Sequence, residues 1–170
     1  MGAGGDKPQI VSDNMTAECP YPIYSNGISN EGLYGYTDKA KIFDESVTVS
    51  ARGTIGFVCL RHIPYVPIVR LVTLIPDKNK ISAKYLYFWL QLLHIAGTGT
   101  TQQQLTVPYF QSTEILVPDS DTLAKFTDFA DSAFSNIWSN QAENDKLAAL
   151  RDTLLPRLMS GNLDVSDLDL

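Results

Sequence analysis

Two histidines, two cysteines and a glycine-rich loop are the first places to look for chemistry in this chain, and none forms a reactive set. His62 and His94 stand thirty-two residues apart, with no Cys, Ser or carboxylate motif beside either, so a nucleophile, its base and an orienting group are not assembled. Gly97-Thr-Gly99 resembles the start of a nucleotide-binding loop, but position 102 is Gln and no Gly-Lys-Ser/Thr follows. Cys19-Pro-Tyr-Pro22 lacks the acidic or Asn residue that opens an adenine methyltransferase motif, and Pro76-Asp77 lacks the acidic-x-Lys triplet of a common nuclease site. Cys19 and Cys59 have neither metal-ligand spacing nor the density of a disulfide scaffold, and both are expected to be reduced and packed. The chain therefore reads as non-enzymatic, with no metal and no cofactor.

What remains is chemistry of binding. The net charge of −6 disfavours a polyanionic partner, but the charge is unevenly placed. Residues 1–117 balance nine Lys and Arg with nine Asp and Glu, whereas residues 118–170 carry four against ten. Within 39–84, Lys39, Lys41, Arg52, Arg61, Arg70, Lys78, Lys80 and Lys84 face only Asp44, Glu45 and Asp77, which is enough for a modest phosphate-binding face. An ordinary solvated surface would show the same excess.

The elements that must position these groups follow from periodicity. The first third is rich in Gly, Pro and turn signals interleaved with Tyr, and reads as loops, with Tyr34 and Tyr36 packed in the core. Ser46–Ser50 alternates as a strand, Ala51-Arg52-Gly53 breaks it, and Thr54–Leu60 resumes, so the pair predicts a hairpin. Val66–Ile75 is a further β-branched run. Ser82 is placed to cap a helix over Ala83–Ala96, with Leu86, Trp89, Leu90 and Leu93 on one face, and Ser112–Val117 predicts a last short strand. The order predicts a mixed α+β core with a twisted, mainly antiparallel sheet.

From Leu123 to Leu158 the pattern changes to heptads free of Gly and of any Pro before Pro156. Leu123, Ala130, Ile137 and Leu158 fall at a, and Phe126, Ala133, Leu147 and Leu154 at d, as a helix packing lengthwise on a partner requires. Asn140, Asn144 and Arg151 share that seam, where polar groups fix register at a cost in stability. Asp121 or Thr122 is expected to cap this helix. The boundary between core and helix is expected near Pro118, giving domains 1–118 and 119–170. The N-terminus has no apolar leader and no run is long enough to span a membrane, so a cytoplasmic protein without membrane contact is expected.

Five segments occur in a familiar order: Tyr21-Pro-Ile-Tyr-Ser-Asn-Gly27, Gly32-Leu-Tyr-Gly-Tyr-Thr37, Ser50-Ala-Arg-Gly-Thr-Ile-Gly56, Gly99-Thr-Thr-Gln102 and Leu150-Arg-Asp-Thr-Leu-Leu-Pro-Arg-Leu-Met-Ser-Gly161. Together they resemble the specificity subunit of type I restriction-modification systems, and they cover nearly the whole chain. The resemblance implies a target recognition domain that reads one half of a split DNA sequence, and a helix that spaces it from the other half and docks the methyltransferase subunits and, through them, the restriction subunit. A complete specificity subunit has two recognition domains and two such helices. This chain carries one of each and corresponds to a half-subunit or a fragment, expected to pair with itself or with a second specificity chain. Its start is shorter than usual, and Val117-Pro-Asp-Ser-Asp-Thr-Leu123 replaces the family's Pro-Pro-Leu-x-x-Gln entry to the helix.

With double-stranded DNA as the implied ligand, Ser25, Asn26, Arg52, Thr54, Thr100, Thr101, Gln102 and Gln103 are the candidate contacts. A hairpin-tip Arg52 can reach phosphate or a guanine edge, threonines and backbone N–H groups can hold phosphate, and glutamine amides match adenine. Ser25 and Asn26 fit an ordinary Asn-Gly turn at least as well. Phe126, Ile137, Leu147 and Leu154 are the candidate partner-helix contacts. The alternative of another class is a stand-alone interaction module whose helix binds a protein and whose core never meets DNA.

Overall fold

The computed structural model describes residues 1–51, 55–93 and 112–162. The chain divides into two compact units, Met1–Thr127 and Asp128–Leu170.

The first unit holds two sheets. One has the order β1-β7-β4-β5 and contains β1 (Gly2–Ala3), β4 (Ser46–Val49), β5 (Val58–Arg61) and β7 (Val72–Leu74), all antiparallel. The other has the order β3-β2-β6 and contains β2 (Tyr21–Tyr24), β3 (Leu33–Thr37) and β6 (Val66–Pro67). β2 pairs antiparallel with β3 and parallel with β6. The mainly antiparallel α+β expectation holds, with two sheets in place of one.

The β4–β5 hairpin forms where alternation placed it, with Val49 opposite Val58, and its strands are shorter than the apolar runs suggest. Val47 and Val49 are fully buried and join Val58, Val72 and Leu74 in the main core. Helix α1 (Ala83–Leu92) covers that cluster with Leu90, backed by Leu86, Tyr87 and Trp89. Ser82 caps it as expected, its hydroxyl accepting from Tyr85 N at 3.2 Å.

Four expectations are corrected. The first third is not merely loops, since it supplies β2 and β3. Pro22 is tolerated because pairing with β6 begins one residue later, at Ile23, so no ladder bond asks for its missing N–H. Val66–Ile75 is not one strand, because the chain turns back on itself at Val69-Arg70 and its two ends join different sheets. Ser112–Val117 forms no strand: Leu116 and Val117 face solvent, and the Leu116 carbonyl accepts from the Tyr85 hydroxyl at 2.8 Å. Tyr34, expected in the core, is exposed, with the Lys7 ammonium 5.7 Å from its ring centroid.

The long helix, α2, runs Ser120–Met159 and continues through Pro156. Its cap is Asp119, two residues before Asp121 and three before Thr122, the positions expected to cap it. The Asp119 carboxylate accepts from Thr122 N at 3.0 Å and from the Thr122 hydroxyl at 2.7 Å, and these bonds hold its carboxyl below the usual range. Phe126 belongs to the first unit, meeting Tyr85 and Phe88 of α1 edge-on. No helix among the described residues is long and apolar enough to cross a membrane.

Candidate nucleic-acid interface

The predicted basic face separates into buried and exposed cations. Arg61 is almost wholly buried, Lys84 is buried against Glu45 at 2.6 Å, and Lys78 is paired with Asp44 at 2.8 Å. Lys39, Lys41, Arg70 and Lys80 remain exposed. A guanidinium and an ammonium that the sequence offers to phosphate are thus committed to the fold, because a buried charge is retained only when paired.

Arg61 is the centre of the junction between the sheets. Its Nε donates to the Thr48 hydroxyl at 3.0 Å, one terminal nitrogen donates to the Glu31 carboxylate at 3.2 Å, and the other to the Glu31 carbonyl at 2.6 Å. The guanidinium lies 3.6 Å from the Tyr24 ring centroid, a cation–π stack between β5 and β2. Tyr24 in turn meets Tyr65 edge-on, and the fully buried Tyr65 hydroxyl bonds Ser46 at 3.0 Å. Burial raises the Tyr24 and Tyr65 hydroxyls above their ordinary range, and it pushes the Cys59 thiol up to about 11, so Cys59 is an inert packed thiol. The two Arg61 bonds to Glu31 also hold the turn Ser29–Gly32, whose Asn30 and Glu31 have φ of 48° and 54°.

Ser25 and Asn26 sit at the neck of that loop, half buried. Ser25 N donates to Gly32 O at 2.8 Å, and the Ser25 hydroxyl reaches the same carbonyl at 3.4 Å. A Cβ on Gly32 would lie 2.5 Å from Ser25 O, so this closure requires glycine. The Asn26 side chain makes two long-range bonds: its amide nitrogen donates to Val69 O, and its amide oxygen accepts from Ala51 N at 2.7 Å. Asn26 therefore braces the Val69-Arg70 turn against Ala51, the residue before Arg52. This long-range brace, rather than a simple Asn-Gly turn, is what the sequence did not disclose.

Arg52, Thr54, Thr100, Thr101, Gln102, Gln103 and His94 lie outside the described residues. Of the partner-helix candidates, Phe126 is occupied by α1, Ile137 and Leu147 are about half exposed, and Leu154 is partly covered. Ile137, Leu147 and Leu154 lie on the second unit, where Phe134 and Trp138 stack at 5.4 Å between centroids.

Residues 6–148 match the model of the type I restriction modification DNA specificity domain. The chain is 36% identical over 115 residues to a type I specificity subunit of Mycoplasma pneumoniae, covering 68% of this chain and 34% of that protein. It is 31% identical over 167 residues to the type I restriction enzyme HindI specificity subunit of Haemophilus influenzae, covering 94% of this chain and 36% of the relative. The chain thus spans about a third of the length of these curated relatives. The fold is similar to the crystal structure of a type I restriction-modification S subunit from M. genitalium, with a TM-score of 0.64 at 21% identity, covering 92% of this chain and 42% of that one.

Proposed function

Because this chain belongs to the family of type I restriction modification DNA specificity domains, we propose that it is a recognition module that reads one half of a bipartite DNA target without catalysing any reaction on it. One compact α+β unit followed by one forty-residue helix carries this reading, since it supplies one surface for a half-site and one ruler to set its distance from the next. Arg52, Thr54, Thr100, Thr101, Gln102 and Gln103 are the groups we assign to the DNA. Ser25 and Asn26 shape the loops beside it, because their polar atoms already hold backbone.

The helix supplies the second half of the function. Ile137, Leu147 and Leu154 recur on its heptad seam and keep apolar surface accessible, as a helix awaiting a partner helix does. We assign that seam to a second recognition half, either another copy of this chain or a second specificity chain, and to the docking of methyltransferase subunits and, through them, the restriction subunit. The module works in the cytoplasm.

Titration of the chain on duplex DNA at graded salt tests the DNA half of this reading. The logarithm of the binding constant is expected to fall linearly with the logarithm of salt concentration, with a slope of roughly 0.9 per phosphate contacted. Arg52→Ala is expected to weaken binding while the thermal transition stays in place, because an arginine that the sequence places between two hairpin strands is expected to serve phosphate contact rather than an apolar core. A protein-interaction module would show no salt-dependent binding in either protein.

A further inference from the structure

The turn Ile68–Leu71 is built against its own sequence. Val69 and Arg70 occupy its two central positions with φ of 52° and 59°, and Leu71 N closes it on Ile68 O at 3.0 Å. This is the left-handed pair that Asn-Gly adopts without strain, and for a β-branched residue it is a true outlier. The surroundings hold it in place. Arg70 N donates to Gly4 O and Val69 N to Gly5 O, each at 2.9 Å, Gly4 N donates to Leu71 O at 2.8 Å, and Asn26 takes the Val69 carbonyl. Gly4 approaches so closely that a Cβ there would lie 2.8 Å from both Ile68 N and Ile68 O.

Ile68 and Leu71, at the two ends of the turn, are buried in the core, whereas its central side chains, Val69 and Arg70, both face solvent. The five bonds fix where the Arg70 side chain leaves the backbone. Lys41 adds a second exposed cation close by, since a Cβ on Gly5, the residue that holds Val69 N, would lie 3.8 Å from Lys41 Nζ. The same Asn26 amide that fixes Val69 also fixes Ala51, tying this turn to the backbone immediately before Arg52.

Resting on the DNA-recognition reading above, we propose that the strained Val69-Arg70 turn is a second DNA-contacting element, in which Arg70, flanked by Lys41, binds backbone phosphate and so sets the register of the recognition surface. Strain of this kind persists where a fixed side-chain position is needed for binding, and phosphate contacts fix register without reading sequence.

The proposal separates stability from binding. Arg70→Gly places the residue such a turn favours, so the thermal midpoint should hold or rise. Affinity for a long mixed-sequence duplex should fall several-fold, and the salt slope should drop by roughly 0.9. Val69→Asn, which relieves the strain and keeps the guanidinium, should raise the midpoint and leave the slope unchanged. Arg70→Asn, which also tolerates the left-handed region, gives the same binding readout should the glycine variant lose its transition. Wild-type affinity and slope in both Arg70 variants would overturn the proposal alone. Absence of salt-dependent binding by the wild-type chain would overturn the DNA-recognition reading, and this proposal with it.

Discussion

Arg61→Ala is expected to destabilise the first unit by about 3 kcal/mol, the loss typical of truncating a large buried side chain together with charge-assisted hydrogen bonds. The substitution removes the stack on Tyr24, the bond to the Thr48 hydroxyl and both bonds to Glu31, the contacts through which β5 meets β2 and the Ser29–Gly32 turn. Arg61→Lys should rescue little, because an ammonium can neither stack flat on the ring nor donate in three fixed directions. Glu31→Gln should cost far less, about 1 kcal/mol or below, since the Glu31 side chain is 62% exposed and water screens the pair. The shift in the urea midpoint of the three variants checks this ordering. Equal effects of Arg61→Ala and Glu31→Gln would mean that the ion pair, not the stack and the buried bonds, carries the junction.

Arg61 also shows where reading a sequence stops. As a cation in a basic stretch it counts toward a phosphate-binding face, and only the tertiary arrangement reveals that Tyr24, Thr48 and Glu31 converge on it. Signals that are local in sequence were legible: the Ser82 cap, the apolar face of α1, the β4–β5 alternation and the heptads of α2 each depend on neighbours within a few residues. Features imposed from afar were not. The β-branched run Val66–Ile75 has strand propensity throughout, and the left-handed turn within it exists because Gly4, Gly5 and Asn26 clamp it from forty or more residues away. Tyr21–Tyr24 and Leu33–Thr37 were hidden by Pro22 and Gly35, residues that usually mark loops and here mark where pairing starts or a neighbour passes close. At the helix start, Asp119 takes the capping role because its carboxylate lies three residues before the Thr122 N–H that it accepts from.

Removing one heptad from α2, Asn140–Lys146, is expected to move the preferred gap between half-sites by about three base pairs. Seven helical residues span roughly 10 Å at 1.5 Å per residue, and duplex DNA rises about 3.4 Å per base pair. A heptad is removed whole so that Ile137 and Leu147 stay on one seam and pairing survives. Over residues 123–158, the heptad segment extends about 54 Å, so about 16 base pairs is the upper limit between half-site centres. Methylation of a target library with graded gaps reads the change directly. A gap that does not move would show that the helix joins the halves without setting their distance.

The central claim is that this chain reads one half of a split DNA target, and methylation mapping in cells carrying it with its modification subunits tests that claim most directly. A two-fold pair of these chains predicts an inverted bipartite motif with a fixed non-specific gap, and pairing with a different half predicts an asymmetric one. In either case, one half-site should disappear or change when residues 1–118 are exchanged for those of another recognition domain. A continuous short motif, or a bipartite motif unaltered by that exchange, would contradict the account.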